Sequence, residues 1–527
     1  MKVVSLCGAL FFISHFAWAE SWVPDLGNGY YKNPIIYADY SDPDVVRVGD
    51  DFYMTASSFN CFPALPILHS KDLVNWEIIN HAIPSWPDNY FDIPQHGNGI
   101  WAPSLRYHDE VFWIYYGDPD QGIYMVKTRD PYSEWDPPVL VREAKGWIDP
   151  CPLWDDDGNA YLVHAFANSR AGIKSILHVN KMSTDGTKLL DDGTLVFDGH
   201  ENHPTIEGPK FFKMNGYYYI FAPAGGVPTG WQTVLRSRQV YGPYEDRIVL
   251  AQGETPINGP HQGGYVELKT GAGWFIHFQD LDPYGRITHL QPVVWKDGWP
   301  VMGTDKDGDG RGEPVLTFQK PNVGVQIPVT IPQTSDEFEG KDFGLQWQWH
   351  ANPKDEWYTI KNGSLFLFSQ STPQNTANLW SVPNLLLQKL PAPNFSATTK
   401  ITFKPRSVDD TVGLIVMGLD YAYIGLTYNE KGLSVVQAAC YDAEKDSAEQ
   451  INKVVAVDTR TLYFKVEMVQ PGTCTFYYRF DGDSYQSIGE QFSAQPGKWI
   501  GAKVGLYALK SSEEKNSWAE IDYFRID

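Results

Sequence analysis

Three acidic residues far apart in the chain, Asp42, Asp149 and Glu207, share one local setting: each adjoins an X-Pro dipeptide that opens an apolar strand. The dipeptides are Asp42-Pro43, Asp149-Pro150 and, one residue past the acid, Gly208-Pro209. Paired carboxyl groups are the usual means of cleaving a glycosidic bond. One is protonated near neutral pH and assists the leaving oxygen, while the other is ionised and activates water or attacks directly. A third anion close by raises the pKa of the acid through like-charge repulsion. Alone, an Asp before Pro at a strand start is an ordinary turn former. The coincidence of three gives the pattern chemical weight.

Such acids act together only if the fold gathers them. The setting recurs five times, at Asp42-Pro43, Ala102-Pro103, Asp149-Pro150, Gly208-Pro209 and Gly259-Pro260. An aromatic-rich second strand follows each, as in Val111-Phe112-Trp113-Ile114-Tyr115 and Gly273-Trp274-Phe275-Ile276-His277. A repeat of roughly 45 to 60 residues, several strands to the unit, marks a β-propeller. Its blades are related by rotation about one axis, so the acids at the block openings are expected to converge there. Asp44 competes with Asp42 for a place at the axis; alternation along the strand is expected to turn it away.

The rest of the chain frames that unit. Residues 1–19 read as a secretory leader, with Lys2, an apolar run to Phe16 and Ala17-Trp18-Ala19 before Glu20, so export to the periplasm or beyond is expected. No other stretch is long and apolar enough to cross a bilayer. The formal charge of −22 argues against nucleic acid, anionic membranes and polyanionic glycans as partners, and is compatible with neutral glycans. The propeller is placed at residues 20–318, a linker at 319–334, and a second all-β domain, a jelly-roll-like β-sandwich, at 335–527. Asp305-Lys306-Asp307-Gly308-Asp309-Gly310 imitates the front of a calcium loop, but Leu316 stands where the closing Glu belongs, and a hydrated turn is the better reading. A Cys440–Cys474 disulfide within the sandwich is compatible with export.

Several ordered segments resemble glycoside hydrolase family 43, whose members are five-bladed propellers. They are Asn33-Pro34 with Ser41 to Arg47, His69 to Trp76, Gly99 to Pro103, Ile148-Asp149-Pro150, Ile206 to Pro209, and Gly285-Arg286 through Val293. The late sandwich resembles the C-terminal domain of the β-xylosidase and α-L-arabinofuranosidase members. The resemblance implies that Asp42 is the general base, Glu207 the general acid, and Asp149 the acid that tunes and orients Glu207. It implies that Arg286 binds substrate and that His261 lies near the axis, where some members hold calcium; a hydrogen-bonded core histidine is the other reading. No cofactor is implied for the chemistry.

Phe59, Phe62 and Trp101 are candidates for the apolar wall of the pocket. Cys61 stands where dedicated xylosidases carry tryptophan, which tilts the expectation toward arabinofuranose. The expected activity is exo-acting, inverting release of terminal α-L-arabinofuranosyl units, with β-D-xylosyl units as a further substrate, from plant hemicellulose such as xyloglucan or arabinoxylan. The alternatives are a β-1,4-xylosidase acting on xylo-oligosaccharides and a non-catalytic carbohydrate-binding propeller. A retaining, invertase-like reading rests only on Arg129-Asp130-Pro131, expected in an outer strand. The sandwich is expected either to bind polysaccharide itself or to cover the pocket rim, with the Ala508–Ser517 loop as the segment able to reach the propeller.

Overall fold

Alternating apolar residues between Gly- and Pro-marked turns leave the chain little choice but strands, and a computed structural model shows them throughout. It describes residues 22–373, 376–512 and 516–527; the leader read at residues 1–19 lies outside the described residues. The one α-helix among them is the single turn Asn168–Ala171, and no helix is long and apolar enough to cross a membrane. The fold is all-β, a five-bladed propeller followed by a β-sandwich.

Each of the first four blades is a four-stranded antiparallel meander. The first runs Asp44–Val48, Asp51–Thr55, Ala64–Ser70, Trp76–Ile83, and the third Trp147–Trp154, Ala160–Phe166, Ile176–Met182, Thr194–Asp198. The fifth contains His261–Glu267, Gly273–Asp280 and Arg286–Lys296, and borrows its next strand, Ile36–Asp39, from the start of the chain. Apolar side chains between neighbouring blades form the core: Tyr53, Phe62, Leu105, Phe112 and Ile114 join the first two, and Val163, Leu177, Phe211 and Ile220 the next pair.

Charge locks the ring where its ends meet. Lys320 reaches Asp25 and, at 2.7 Å, the buried Asp72. Asp72 also accepts the backbone N–H groups of Val74 and Asn75, and Asn75 donates to Asp25 at 2.9 Å. The stretch expected as linker is tied to the same turn, since Thr330 N–H donates to Asn75 Oδ1 at 3.0 Å.

The sandwich pairs two sheets around one large core that includes Phe338, Trp347, Phe403, Leu414 and Phe464. The Cys440–Cys474 disulfide is not formed: both thiols are buried and free, and their strands, Gly432–Cys440 and Thr473–Arg479, belong to different sheets. The domains share backbone hydrogen bonds, Phe62 N–H to Trp349 O at 3.1 Å and its reciprocal at 2.5 Å. Asn352 adds two hydrogen bonds with the Trp86 backbone, accepting its N–H at 2.7 Å and donating to its carbonyl at 3.0 Å.

Removing one partner of a buried ion pair leaves the other charge uncompensated, at a cost of about 3–5 kcal/mol. Lys320→Ala strands Asp72 in this way, so a lowered melting temperature is expected from calorimetry, with Lys71→Ala, an exposed neighbour, unchanged.

Candidate active site

The site begins with a backbone kink. Asp42, Ala102, Asp149, Gly208 and Gly259, the residues preceding the five prolines, all lie in the left-handed region, with φ of 55°, 36°, 56°, 56° and 45°. Left-handed backbone is tolerated by Asp and Gly and strained in Ala. In the second and third blades the ladder bulges at this point, between Trp101 and Ser104 and between Ile148 and Cys151. The fifth bulges at Gln262, φ 40°, so Gln262 and not Gly259 is the positional counterpart of Asp149 there. A bulge suspends strict alternation and re-aims side chains. Consecutive residues therefore share the pocket: Trp101 with Ala102, and Ile148 with Asp149. Glu207, one residue ahead of its kink, is positioned like Ile148.

Alternation was the wrong reason for setting Asp44 aside, because residues i and i+2 of a regular strand share a face. The kink at Asp42-Pro43 separates the two. Asp44 binds the Leu105 N–H at 2.8 Å and the Arg106 guanidinium at 2.7 Å, between the first two blades.

The three acids and Arg286 line one pocket of about 120 Å³ with Phe59, Trp101, Val227, Gln262 and Trp499. That is well below the several hundred Å³ a drug-sized ligand fills, and suits a single small ring. Arg286 Nη1 lies 3.0 Å from Asp42 Oδ1 and 2.8 Å from Ser41 Oγ. Ser57 donates to Asp42 Oδ2 at 2.6 Å and accepts the Ala102 N–H at 2.7 Å, fastening Asp42 to the second blade. Asp149 Oδ2 accepts the Gly208 N–H at 2.7 Å, which ties it to the backbone beside Glu207.

Electrostatics divides the acids. Burial, then the Asp149 charge, pushes the Glu207 carboxyl well above the usual carboxylate range. Burial also raises Asp149, with Asp42 adding to it. Burial opposes the Arg286 charge, but Asp42, Asp280 and Asp39 outweigh it and hold the guanidinium above its ordinary value. One carboxyl favoured as the acid and another in an ion pair form a donor–acceptor set for proton transfer at the two ends of a breaking bond.

Phe59 and Trp101 stand on the pocket wall, their rings 6.2 Å apart. Phe62 does not: fully buried, it packs against Phe91 at 5.0 Å beneath the domain junction. Cys61 is also buried off the wall, 3.0 Å from Lys503 Nζ, so its identity gives no steric basis for choosing arabinofuranose. His261 is fully buried, with Nε2 3.6 Å from Glu207 Oε1, and burial lowers it to about 3; it backs Glu207 as a neutral ring without opening onto the pocket. Arg129-Asp130 lies in an exposed turn after the strand Gly122–Thr128, outside the pocket.

The sandwich residue that reaches the pocket is Trp499, which sequence reasoning missed. It is 53% exposed, φ 67°, and meets Trp101 edge-on at 6.4 Å. The Ala508–Ser517 loop, whose residues 513–515 lie outside those described, is instead tied to its own domain through Ser511 and Asp410. A lone tryptophan in Lys498-Trp499-Ile500-Gly501 carries no periodic signal; only the fold reveals its role.

Comparison with known proteins assigns the family. The profile of Glycosyl hydrolases family 43 matches residues 31–300, and that of the Beta xylosidase C-terminal Concanavalin A-like domain matches 335–527. The chain belongs to glycosyl hydrolase family 43. A putative β-xylosidase of Xylanibacter ruminicola is 39% identical over 91% of this chain and 86% of its own length. A non-reducing end α-L-arabinofuranosidase of Bacteroides ovatus is 28% identical over 94% of each. The crystal structure of the family-43 protein BlXynB of Bacillus licheniformis superposes with a TM-score of 0.81 at 25% identity, covering 94% of this chain and 99% of that one. This family-43 chain is a glycosidase, and its chemistry needs no cofactor.

At His261, where calcium and a hydrogen-bonded core histidine are the two readings, both ring nitrogens are buried without a hydrogen-bond partner among the described residues, so the second reading is not what is found. Calcium finds a poor donor set there. Calcium takes six to eight oxygens, and among the described residues no cluster of three carboxylate, thiol or imidazole donors converges at His261. The cluster that does form is Asp305, Asp307 and Asp309, whose oxygens also accept turn N–H groups from Gly308, Gly310 and Arg311. No chemical step is routed through calcium.

Because Trp499 is exposed and its ring meets the pocket, Trp499→Ala is expected to leave the melting temperature within about 1 °C. It should raise KM for a pentoside by roughly fivefold, the loss of one aromatic contact.

Proposed function

We propose that this enzyme is an exo-acting, inverting glycosidase that releases terminal non-reducing α-L-arabinofuranosyl units, and also β-D-xylosyl units, from plant hemicellulose such as xyloglucan or arabinoxylan side chains. The observation that carries the reading is the split between two carboxyl groups in a pocket sized for one ring: Glu207 pushed toward its protonated form, and Asp42 paired with Arg286.

In this mechanism Asp42 takes a proton from a water whose oxygen bonds to the anomeric carbon. The glycosidic C–O bond breaks on the opposite face as Glu207 gives its proton to the leaving oxygen. The pentose departs with inverted configuration, Glu207 is left ionised and Asp42 protonated, and exchange with solvent resets both. Inversion requires room for that water, a separation of roughly 6.5–9.5 Å between the two carboxyl groups against ~5 Å in a retaining pair. Asp149 keeps the acid protonated by its charge and holds the neighbouring Gly208 backbone. The leader-like residues 1–19 support export, which would bring the enzyme to its polymer.

A second reading, a β-1,4-xylosidase of xylo-oligosaccharides, draws support from the names of the Xylanibacter relative and of a Formosa agariphila β-xylosidase, 30% identical over 97% of this chain. Release of pentose from the two p-nitrophenyl pentosides and from a panel of hemicelluloses separates the readings.

Proton NMR of the first-formed sugar is expected to show the inverted anomer; the retained anomer would overturn the mechanism. Glu207→Ala should lower kcat/KM for natural glycosides by a factor on the order of 10² to 10⁴. Asp149→Asn removes an anion that raises the Glu207 pKa, so the basic limb of the kcat/KM profile should move to lower pH.

A further inference from the structure

Asp39 is a buried carboxylate that the chemistry above does not use. It ends the strand Ile36–Asp39 and is 3% exposed. Its two oxygens serve two domains. Oδ1 accepts the backbone N–H of Arg286, and Oδ2 accepts that of Gly501, both at 2.9 Å. Arg286 is the residue whose guanidinium holds Asp42 and Ser41. Gly501 lies two residues beyond Trp499, the sandwich's contribution to the pocket wall. Among the described residues no lysine, arginine or histidine side chain forms an ion pair with Asp39.

The junction is too tight for another arrangement. A Cβ at Gly285 would lie 2.6 Å from Gly501 N and 2.7 Å from Asp39 Cγ. A Cβ at Gly501 would lie 2.8 Å from Gly285 N. The next N–H along, that of Ala502, donates to Pro283 O at 2.7 Å. Two glycine-lined backbones thus close on one carboxylate, and both its oxygens are needed as acceptors. An amide in its place has a single acceptor oxygen and turns an NH₂ group toward one of the two N–H donors.

We propose that Asp39 is a positioning residue that sets the pocket from both domains at once. One oxygen fixes the backbone from which Arg286 reaches Asp42, and the other fixes the loop that presents Trp499. The inference rests on the hydrolytic reading of the pocket. It makes the sandwich part of the catalytic geometry through a named bond and gives the two halves of the pocket a common anchor.

The test is a double-mutant cycle of Asp39→Asn and Trp499→Ala, with a p-nitrophenyl pentoside and a xylo-oligosaccharide as substrates and circular dichroism confirming the folded state at the assay temperature. In the parent, Asp39→Asn is expected to raise KM for the oligosaccharide about tenfold and to lower kcat severalfold. In the Trp499→Ala background the KM effect should shrink to within about twofold, because the aromatic it positions is gone, while the kcat loss through Arg286 persists. Equal fold-changes in both backgrounds, or unchanged kcat and KM in the parent, would overturn the proposal. Should Asp39→Asn not fold, Asp39→Glu, which keeps both acceptors one methylene out of place, enters the same cycle with the same expectations. Glu207→Ala assayed in parallel on the oligosaccharide separates the two failures: full activity there defeats the hydrolytic reading itself, whereas a normal loss with an additive cycle defeats only the role of Asp39.

Discussion

The left-handed residue at each inner-strand kink, ahead of a proline in the first four blades and Gln262 in the fifth, is the constraint on which the rest of the site depends. A regular strand sends alternate side chains to opposite faces. At the kinks of the second and third blades the alternation is broken, and adjacent residues turn into the same small space. Proline makes the kink cheap to repeat, since it fixes its own φ and donates no N–H that the bulge would strand. Ring symmetry then does the gathering, bringing residues from five separated stretches to the walls of one pocket.

What the kinks assemble would be unstable as three free anions. Three carboxyl groups in one narrow pocket repel one another and lose part of their hydration. The molecule answers with one guanidinium, Arg286, against Asp42, and with backbone or hydroxyl donors for Asp149 and Asp42. Among the described residues no donor hydrogen-bonds the Glu207 carboxyl, and burial with the Asp149 charge outweighs the pull of Arg286, so it keeps its proton most readily. The division of labour between the carboxyl groups follows from which of them is compensated.

The sequence made the architecture legible because propeller blades repeat. Proline, an alternating strand, a turn and an aromatic strand recurred often enough to indicate blade number, and the acids fell at the openings, Asp42 and Asp149 on the kink and Glu207 one residue ahead of it. The wall was harder to read. Phe62 looks like Phe59 in sequence, yet one faces the pocket and the other the domain junction, a difference set by backbone pairing with Trp349 and ring packing against Phe91 that no local pattern encodes. The fifth copy was misaligned because Gly259-Pro260 imitates the other openings, while the actual bulge falls at Gln262. Trp499 and Asp39 act across a boundary between domains, where sequence distance says nothing about contact. The absent Cys440–Cys474 bond has a similar cause, two strands of one domain assigned to opposite sheets.

The borrowed strand has a consequence for how the protein comes into being. The fifth blade lacks Ile36–Asp39 until the chain has reached Arg286–Lys296, and Asp42 lacks its guanidinium for the same interval. Contacts this distant along the chain form slowly. The crevice therefore cannot be complete before Arg286–Lys296 has been made and the circle shuts. Asp42 stays without its compensating charge until a residue 244 positions further along the chain has reached it.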